Sequence, residues 1–241
     1  MATRARVFGY HRVTDSPNPA LADWAVSPAQ LDQQMAYLAG EGYEAVICSE
    51  LLRRFDTRVP MERVVAITFD DSYSDTVTTA APILARYGFV ATIFAVPGHL
   101  GGFAEWDARY GGAMAPIATA EDLRAVMATG WEIGHHTITH AALTRLSDSE
   151  IRHEVFDGAD MLSAAIGAPV PTFAYPFSMQ NAHVRALMAA EAPFTGIFAA
   201  GRPFASADSD RTAIERVFPL GGHTLDDFES LLTTGVDLSG E

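Results

Sequence analysis

The sequence predicts a single α/β domain, a closed or distorted β/α barrel of TIM-barrel type, on three observations. At 241 residues the chain suits one barrel or one doubly wound domain and is long enough to bury a large core. Strand-like and helix-like segments alternate along it, which implies a mostly parallel sheet with helices packed outside. About six to eight strands, with no glycine-rich phosphate fingerprint after the first, favour a barrel over a dinucleotide-binding sheet. No internal repeat or low-complexity segment divides residues 1–241.

Taken in order, ARVFGYHRV (5–13) reads as the first strand. Ser27 then offers an N-cap and Pro28 the first helical position, with Leu31, Met35 and Leu38 at helical spacing and Gly42 as the stop. YEAVI is a short strand, VVAITF (64–69) a buried one, and a helix over 75–87 closes at Gly88 before the β-rich run FVATIFAV. A glycine-rich loop, 98–113, follows. Thr119 and Asp122 form a capping-box pattern for the next helix, Gly130 ends it, and WEIGHH is a strand. A long amphipathic helix over 148–166, with Ile151, Val155, Met161 and Leu162 as its buried stripe, stops at Gly167. The strand TFAYP, a helix over 181–190, the strands FTGIFAA and IERVFPL and the helix TLDDFESLL complete the chain, with 201–211 as a loop.

Composition narrows the function. Apolar residues make up 49% and charged residues 19%, and no run approaches the roughly 18 apolar residues of a spanning helix. The expectation is a soluble chain without a transmembrane segment. Its N-terminus passes straight into strand alternation without a secretory pattern, so the sequence as given reads as cytoplasmic, or extracytoplasmic if it has been trimmed. A net charge of −14 argues against nucleic acid and other polyanions as partners. The single cysteine, Cys48, excludes an internal disulfide and reads as a buried small hydrophobe.

In a barrel, polar residues at the C-terminal ends of strands build the site. Three places qualify together: Asp70 and Asp71 after VVAITF, His135, His136 and His140 in GHHTITH, and Tyr175, Pro176 and Phe177 after TFA. Adjacent carboxylates repel and lose hydration, so keeping both ionised calls for a cation or donors. Helix capping is the simpler role for one of them, but Ser72, Ser74 and Asp75 could cap equally well. His136 and His140, four apart, converge if the chain turns helically, and with one carboxylate they make a His₂Asp set that leaves positions for water and substrate.

TFDD, AAPILARYGFVATIFAV, GWEIGHHTITHAALTRL and FAYPF, in that order, resemble the polysaccharide deacetylase family (carbohydrate esterase family 4, the NodB-homology domain). The resemblance runs from GYHRV to RVFPLGGHTLDDFESLL, and FAYPF is closest to the poly-N-acetylglucosamine deacetylase-like branch. It implies a distorted (β/α)₇ barrel and divalent-metal-dependent removal of acetyl from an N-acetylated, less readily an O-acetylated, sugar or glycan. The implied metal is Zn²⁺, with Co²⁺, Ni²⁺ or Mn²⁺ as alternatives. Position by position, the resemblance makes Asp70 the general base towards the attacking water, Asp71, His136 and His140 the ligands, and the Phe177 backbone N–H an oxyanion donor.

The departures from the pattern are specific. Ser72 and Ser178 stand where glycine is usual, and the arginine that steadies the base falls on Ala174, with Arg216 as the substitute from another loop. No plain copy of the family's late histidine motif exists; His223 in PLGGHTL is the candidate general acid, ahead of His183. His135 is expected to support the metal ligands and His11 to line the pocket. Trp106, Phe103 and Tyr110 on the glycine-rich loop could stack on sugar rings, while Trp24 and Trp131 read as core or cover. Two other functions remain: hydrolysis of a small non-sugar amide or cyclic imide or ureide, and carbohydrate binding without catalysis. The oligomeric state is not readable.

Overall fold

In the computed structural model, residues 4–111, 113–201 and 204–236 are described; Gly112 of the glycine-rich loop and Arg202 and Pro203 of the 201–211 loop lie outside them. The chain forms one nearly closed, mostly parallel barrel. In chain order its strands are β1 (Arg4–Tyr10), β2 (Arg12–Val13), β3 (Ala25–Val26), β4 (Glu44–Val46), β5 (Val64–Phe69), β6 (Thr92–Ala95), β7 (Glu132–His135), β8 (Thr172–Ala174), β9 (Gly196–Ala200), β10 (Ala205–Ser206) and β11 (Ile214–Arg216). The helices are α1 (Pro28–Gly40), α2 (Cys48–Asp56), α3 (Ala81–Arg86), α4 (Ala120–Met127), α5 (Asp148–Arg152), α6 (Gly158–Ile166), α7 (Ala182–Glu191) and α8 (Leu225–Thr233).

Neighbouring strands run β10-β1-β5-β6-β7-β8-β9-β11, with β4 also on β5. The ring closes where Val217, just past β11, bridges Phe8 of β1; Gly9 N–H donates to the Val217 carbonyl and Val217 N–H to that of Val7. Strand alternation then sorts side chains into two layers. Val65, Ile67 and Phe69 of β5 pack outward with Leu31, Met35 and Leu38 of α1. Ala66 belongs to a second cluster with Phe94, Ala174 and Phe198 from three other strands. Because both faces are buried, these strands read as continuous apolar runs.

The capping signals act as expected. Ser27 accepts the Gln30 N–H at the start of α1, and Thr119 with Asp122 forms a full capping box on α4. The expected helices over 75–87 and 148–166 each begin or break in a π-helical turn, at Thr76–Ala80 and His153–Asp157. The second turn shifts the helix phase, so Met161, expected in the buried stripe, is 45% exposed while Ile151, Val155 and Leu162 are buried. Helix α2 is absent from the sequence reading. Its Cys48, Leu51, Leu52 and Phe55 lie on one face and join the second cluster, which makes Cys48 the small buried hydrophobe expected. The 201–211 loop carries β10, antiparallel to β1. Among the described residues no helix is long and apolar enough to cross a membrane.

Candidate active site

One cleft of about 320 Å³ lies among the segments that follow β1, β5, β7, β8 and β11. Asp70 continues β5 inward, its N–H donating to the Tyr10 carbonyl. Arg216, the last residue of β11, grips it with two hydrogen bonds, Nη1 to Oδ1 at 2.6 Å and Nη2 to Oδ2 at 2.8 Å, and both side chains are buried. A second bond from Nη1 to the Thr68 hydroxyl fixes the guanidinium. Burial by itself pushes the Asp70 carboxyl up; the Arg216 charge, then His136, the Arg216 hydrogen bonds and His11, outweigh it, and the group ionises below its ordinary range. Barrel closure thus brings to Asp70 the arginine that position 174 lacks.

Asp71 turns away from Asp70 through a left-handed backbone (φ 70°). Its Oδ1 faces His136 Nε2 at 3.4 Å and His140 Nε2 at 3.0 Å. His136 donates Nδ1–H to the Ala174 carbonyl at 2.7 Å, an atom that can only accept. The Nε2 lone pair therefore points at a carboxylate oxygen, two acceptors face to face, a pairing that a cation resolves. One ligand atom from each of Asp71, His136 and His140 lies within 4.8 Å of the others, and all three residues are buried. The donor set suits a divalent metal such as zinc. Burial raises the Asp71 carboxyl, yet the close approach of His140 and His136 brings it well below its ordinary value.

The wall is aromatic. The Trp106 ring lies 4.6 Å from that of His140 and the Phe177 ring 4.5 Å from it. His11 packs edge-on to Trp24 and at a tilt to Phe218, with Nε2 3.9 Å from Asp70 Oδ2. Burial lowers the His11 imidazole, with Asp71 and Asp70 opposing. Trp24, expected as core or cover, is 48% exposed on the cleft wall, whereas Trp131 is buried against Phe69. Tyr175 lines the cleft and donates its hydroxyl to the Thr212 carbonyl; Pro176 is buried beside it, outside the lining. Tyr110 also lines the cleft, and Phe103 does not.

Two expected residues lie elsewhere. His223 is outside the lining, its Nδ1 accepting the Leu220 N–H, so the loop after β11 spends this imidazole on its own turn. His135 points to the face of β7 opposite His136, as alternation requires. There it contacts Phe173 and donates Nε2–H to the Glu154 carbonyl, away from the ligands. His183 is exposed and paired with Asp148. The serines that replace glycine both sit in left-handed backbone, Ser72 at φ 55° and Ser178 at φ 54°. Each hydroxyl is tied down: Ser72 donates to the Asp71 carbonyl and Ser178 accepts the Ala200 N–H. Sequence reasoning misses Tyr73, Asp107, Arg12 and Arg109 of the lining. Only their nearness to TFDD and to the aromatic loop could have marked them.

The pattern of known proteins agrees with this geometry. The structure of a Streptococcus pyogenes deacetylase, PplD, in complex with acetate superposes with a TM-score of 0.81 at 25% identity, covering 96% of this chain and 97% of that one. Among curated relatives, YxkH of Bacillus subtilis (strain 168) is 27% identical over 157 residues, 65% of this chain and 52% of its own length. The poly-β-1,6-N-acetyl-D-glucosamine N-deacetylase of Staphylococcus aureus (strain MSSA476) is 24% identical over 199 residues, 73% of this chain and 66% of its own. The matches thus span about half of one relative and about two thirds of the other. A sequence model of polysaccharide deacetylases matches residues 57–196, more than half of the chain, and takes in TFDD, HTITH and FAYPF; the chain belongs to the polysaccharide deacetylase family.

Proposed function

We infer that this chain is a divalent-metal-dependent hydrolase that removes the acetyl group from an N-acetylated sugar. The observation that carries the reading is the convergence of Asp71, His136 and His140 on one point beside Asp70, a base kept ionised by Arg216. The N-acetyl preference follows the Staphylococcus aureus relative's name, and the aromatic wall offers faces on which sugar rings stack. A bound cation at Asp71, His136 and His140 supplies Lewis-acid polarisation and lowers the pKa of water at the site.

The chain's own groups do the rest. Asp70 accepts a proton from the attacking water while its oxygen bonds to the acetamide carbon. The Phe177 backbone N–H is the donor assigned to the developing oxyanion. As the C–N bond breaks, the nitrogen takes a proton and leaves as a free amine, and acetate is the other product. We assign that proton to His11 rather than His223, because His11 lines the cleft near the base and burial makes its imidazolium a stronger acid. Metal analysis of the purified protein, coupled to acetate release from N- and O-acetylated sugars and to ring opening of cyclic imides, tests the reading. The expected result is bound divalent metal and sugar-dependent acetate that Asp70→Asn and His136→Ala abolish; a metal-loaded protein releasing no acetate refutes it.

A further inference from the structure

The charged groups of the cleft are nearly all accounted for by one another. Arg216 holds Asp70, Arg12 holds Asp75, Asp71 faces two histidines, and Asp107 accepts the Tyr73 hydroxyl. Arg109 is the exception: it lines the cleft and forms no ion pair among the described residues. Glu105 and Asp107 occupy the same short helical turn, Glu105–Tyr110, and neither turns to it.

Aromatic rings hold Arg109 instead. Its Cζ lies 4.8 Å from the Tyr110 ring centroid and 5.1 Å from that of Phe177, and Nη2 donates to the Tyr110 hydroxyl at 3.0 Å. Contacts to ring faces steady a guanidinium while leaving in-plane N–H donors for a carboxylate or phosphate. The turn that carries it is pinned at three points: Tyr73 to Asp107, Trp106 on His140, and the Asn18 amide on the Gly111 carbonyl. Because Phe177 also touches His140, the guanidinium stands two ring contacts from the ligand set.

We propose that Arg109 reads an anionic substituent on the acetylated sugar, so that the substrate class is an acidic amino sugar bearing a carboxylate or a phosphate monoester. The proposal rests on the deacetylase reading above. A net charge of −14 repels anions at long range, so one acidic group at this cleft needs a local cation; a neutral glycan does not.

The test uses three N-acetylated monosaccharides: a neutral one, one with a carboxylate such as N-acetylmuramic acid, and N-acetylglucosamine 6-phosphate. For the metal-loaded enzyme, kcat/KM is expected to favour at least one acidic sugar over the neutral one by about tenfold to a hundredfold, the scale of a hydrogen bond to a charged group. Which acidic sugar wins tells carboxylate from phosphate. Arg109→Gln should collapse that ratio and Arg109→Lys should keep part of it. A wild-type preference for the neutral sugar, or an equal loss on all three in Arg109→Gln, overturns the proposal. Binding of the same sugars to Asp70→Asn, with and without Arg109→Gln, is read by calorimetry. An Arg109-dependent preference there, with no acetate released from any of the sugars by the metal-loaded wild type, would sink the deacetylase reading and leave this one standing.

Discussion

Replacing Arg216 by glutamine removes the charge that keeps Asp70 ionised. In the intact site, burial and Arg216 act on this carboxyl in opposite directions and the charge wins. Without it burial wins, and a carboxyl this enclosed rises by up to about 3–5 pH units. The sign of the pH dependence then reverses. In the wild type the Asp70 contribution to stability is present above the unfolded-chain value of 3.8 and is lost as pH falls through the lower folded value. In Arg216→Gln it is present at low pH and lost as pH rises towards the new, higher value. Breaking a buried pair by removing one partner costs about 3–5 kcal/mol, so urea unfolding should show a loss of that size near pH 7. The acid limb of kcat/KM for acetate release, which in the wild type lies below 3.8, should move up by about two units or more into a profile recorded from pH 3 to 9, roughly 3 kcal/mol of lost base function on its acid side. Arg216→Lys, which keeps the charge without the two-pronged grip, should fall between. An acid limb that stays in place in a folded Arg216→Gln enzyme would refute the assignment of Asp70 as a base tuned by Arg216.

Three further outcomes are expected. His11→Gln should lower kcat by about 10²- to 10⁴-fold and remove the alkaline limb of the profile, whereas His223→Gln should disturb the turn at Leu220 and leave that limb in place; the reverse pattern would return the acid to His223. Ser72→Gly should unfold at higher denaturant than Ser72→Ala by about 1 kcal/mol, because glycine relieves the left-handed backbone at φ 55° and alanine does not; equal stabilities would mean no strain is stored there. His135 is held neutral by burial, its pKa down at about 4 from an ordinary 6.5, against the raising effect of its bond to Glu154. Its contribution is therefore present above pH 6.5 and lost as pH falls to about 4, about 3 kcal/mol in all, and His135→Gln should flatten the stability curve across that window.

The candidate metal site and the carboxylate beside it were legible because each signal is local. Two carboxylates at a strand end and two histidines four apart need only the chain's own turn to meet, and the strands that carry them are continuous apolar runs. What was not legible depends on closure or on phase. Arg216 reaches Asp70 across 146 positions, and no periodicity links them; the resemblance alone, through the arginine missing at position 174, pointed to it. His135 could have been placed from strand alternation, which puts it opposite His136, but adjacency in GHHTITH masks that. Helix α2 has its apolar face at Cys48, Leu51, Leu52 and Phe55, and without a side-chain cap its start carries no N-terminal signal. The exposure of Met161 follows from a π-helical turn that hydrophobic spacing does not encode.

The seam where β11 meets β1 is narrow: one bridge, Phe8 to Val217, with two amide hydrogen bonds. His11 lies just past one side of it and Arg216 just before the other, while Asp71 follows β5 and His136 and His140 follow β7, strands joined to each other through β6 without crossing the seam. The grip of Arg216 on Asp70 therefore crosses the seam, whereas the meeting of Asp71 with His136 and His140 does not. A seam that opens transiently would part Arg216 from Asp70 while the other strand pairs stay intact, so the charge on that carboxylate is tied to how tightly this one joint is latched.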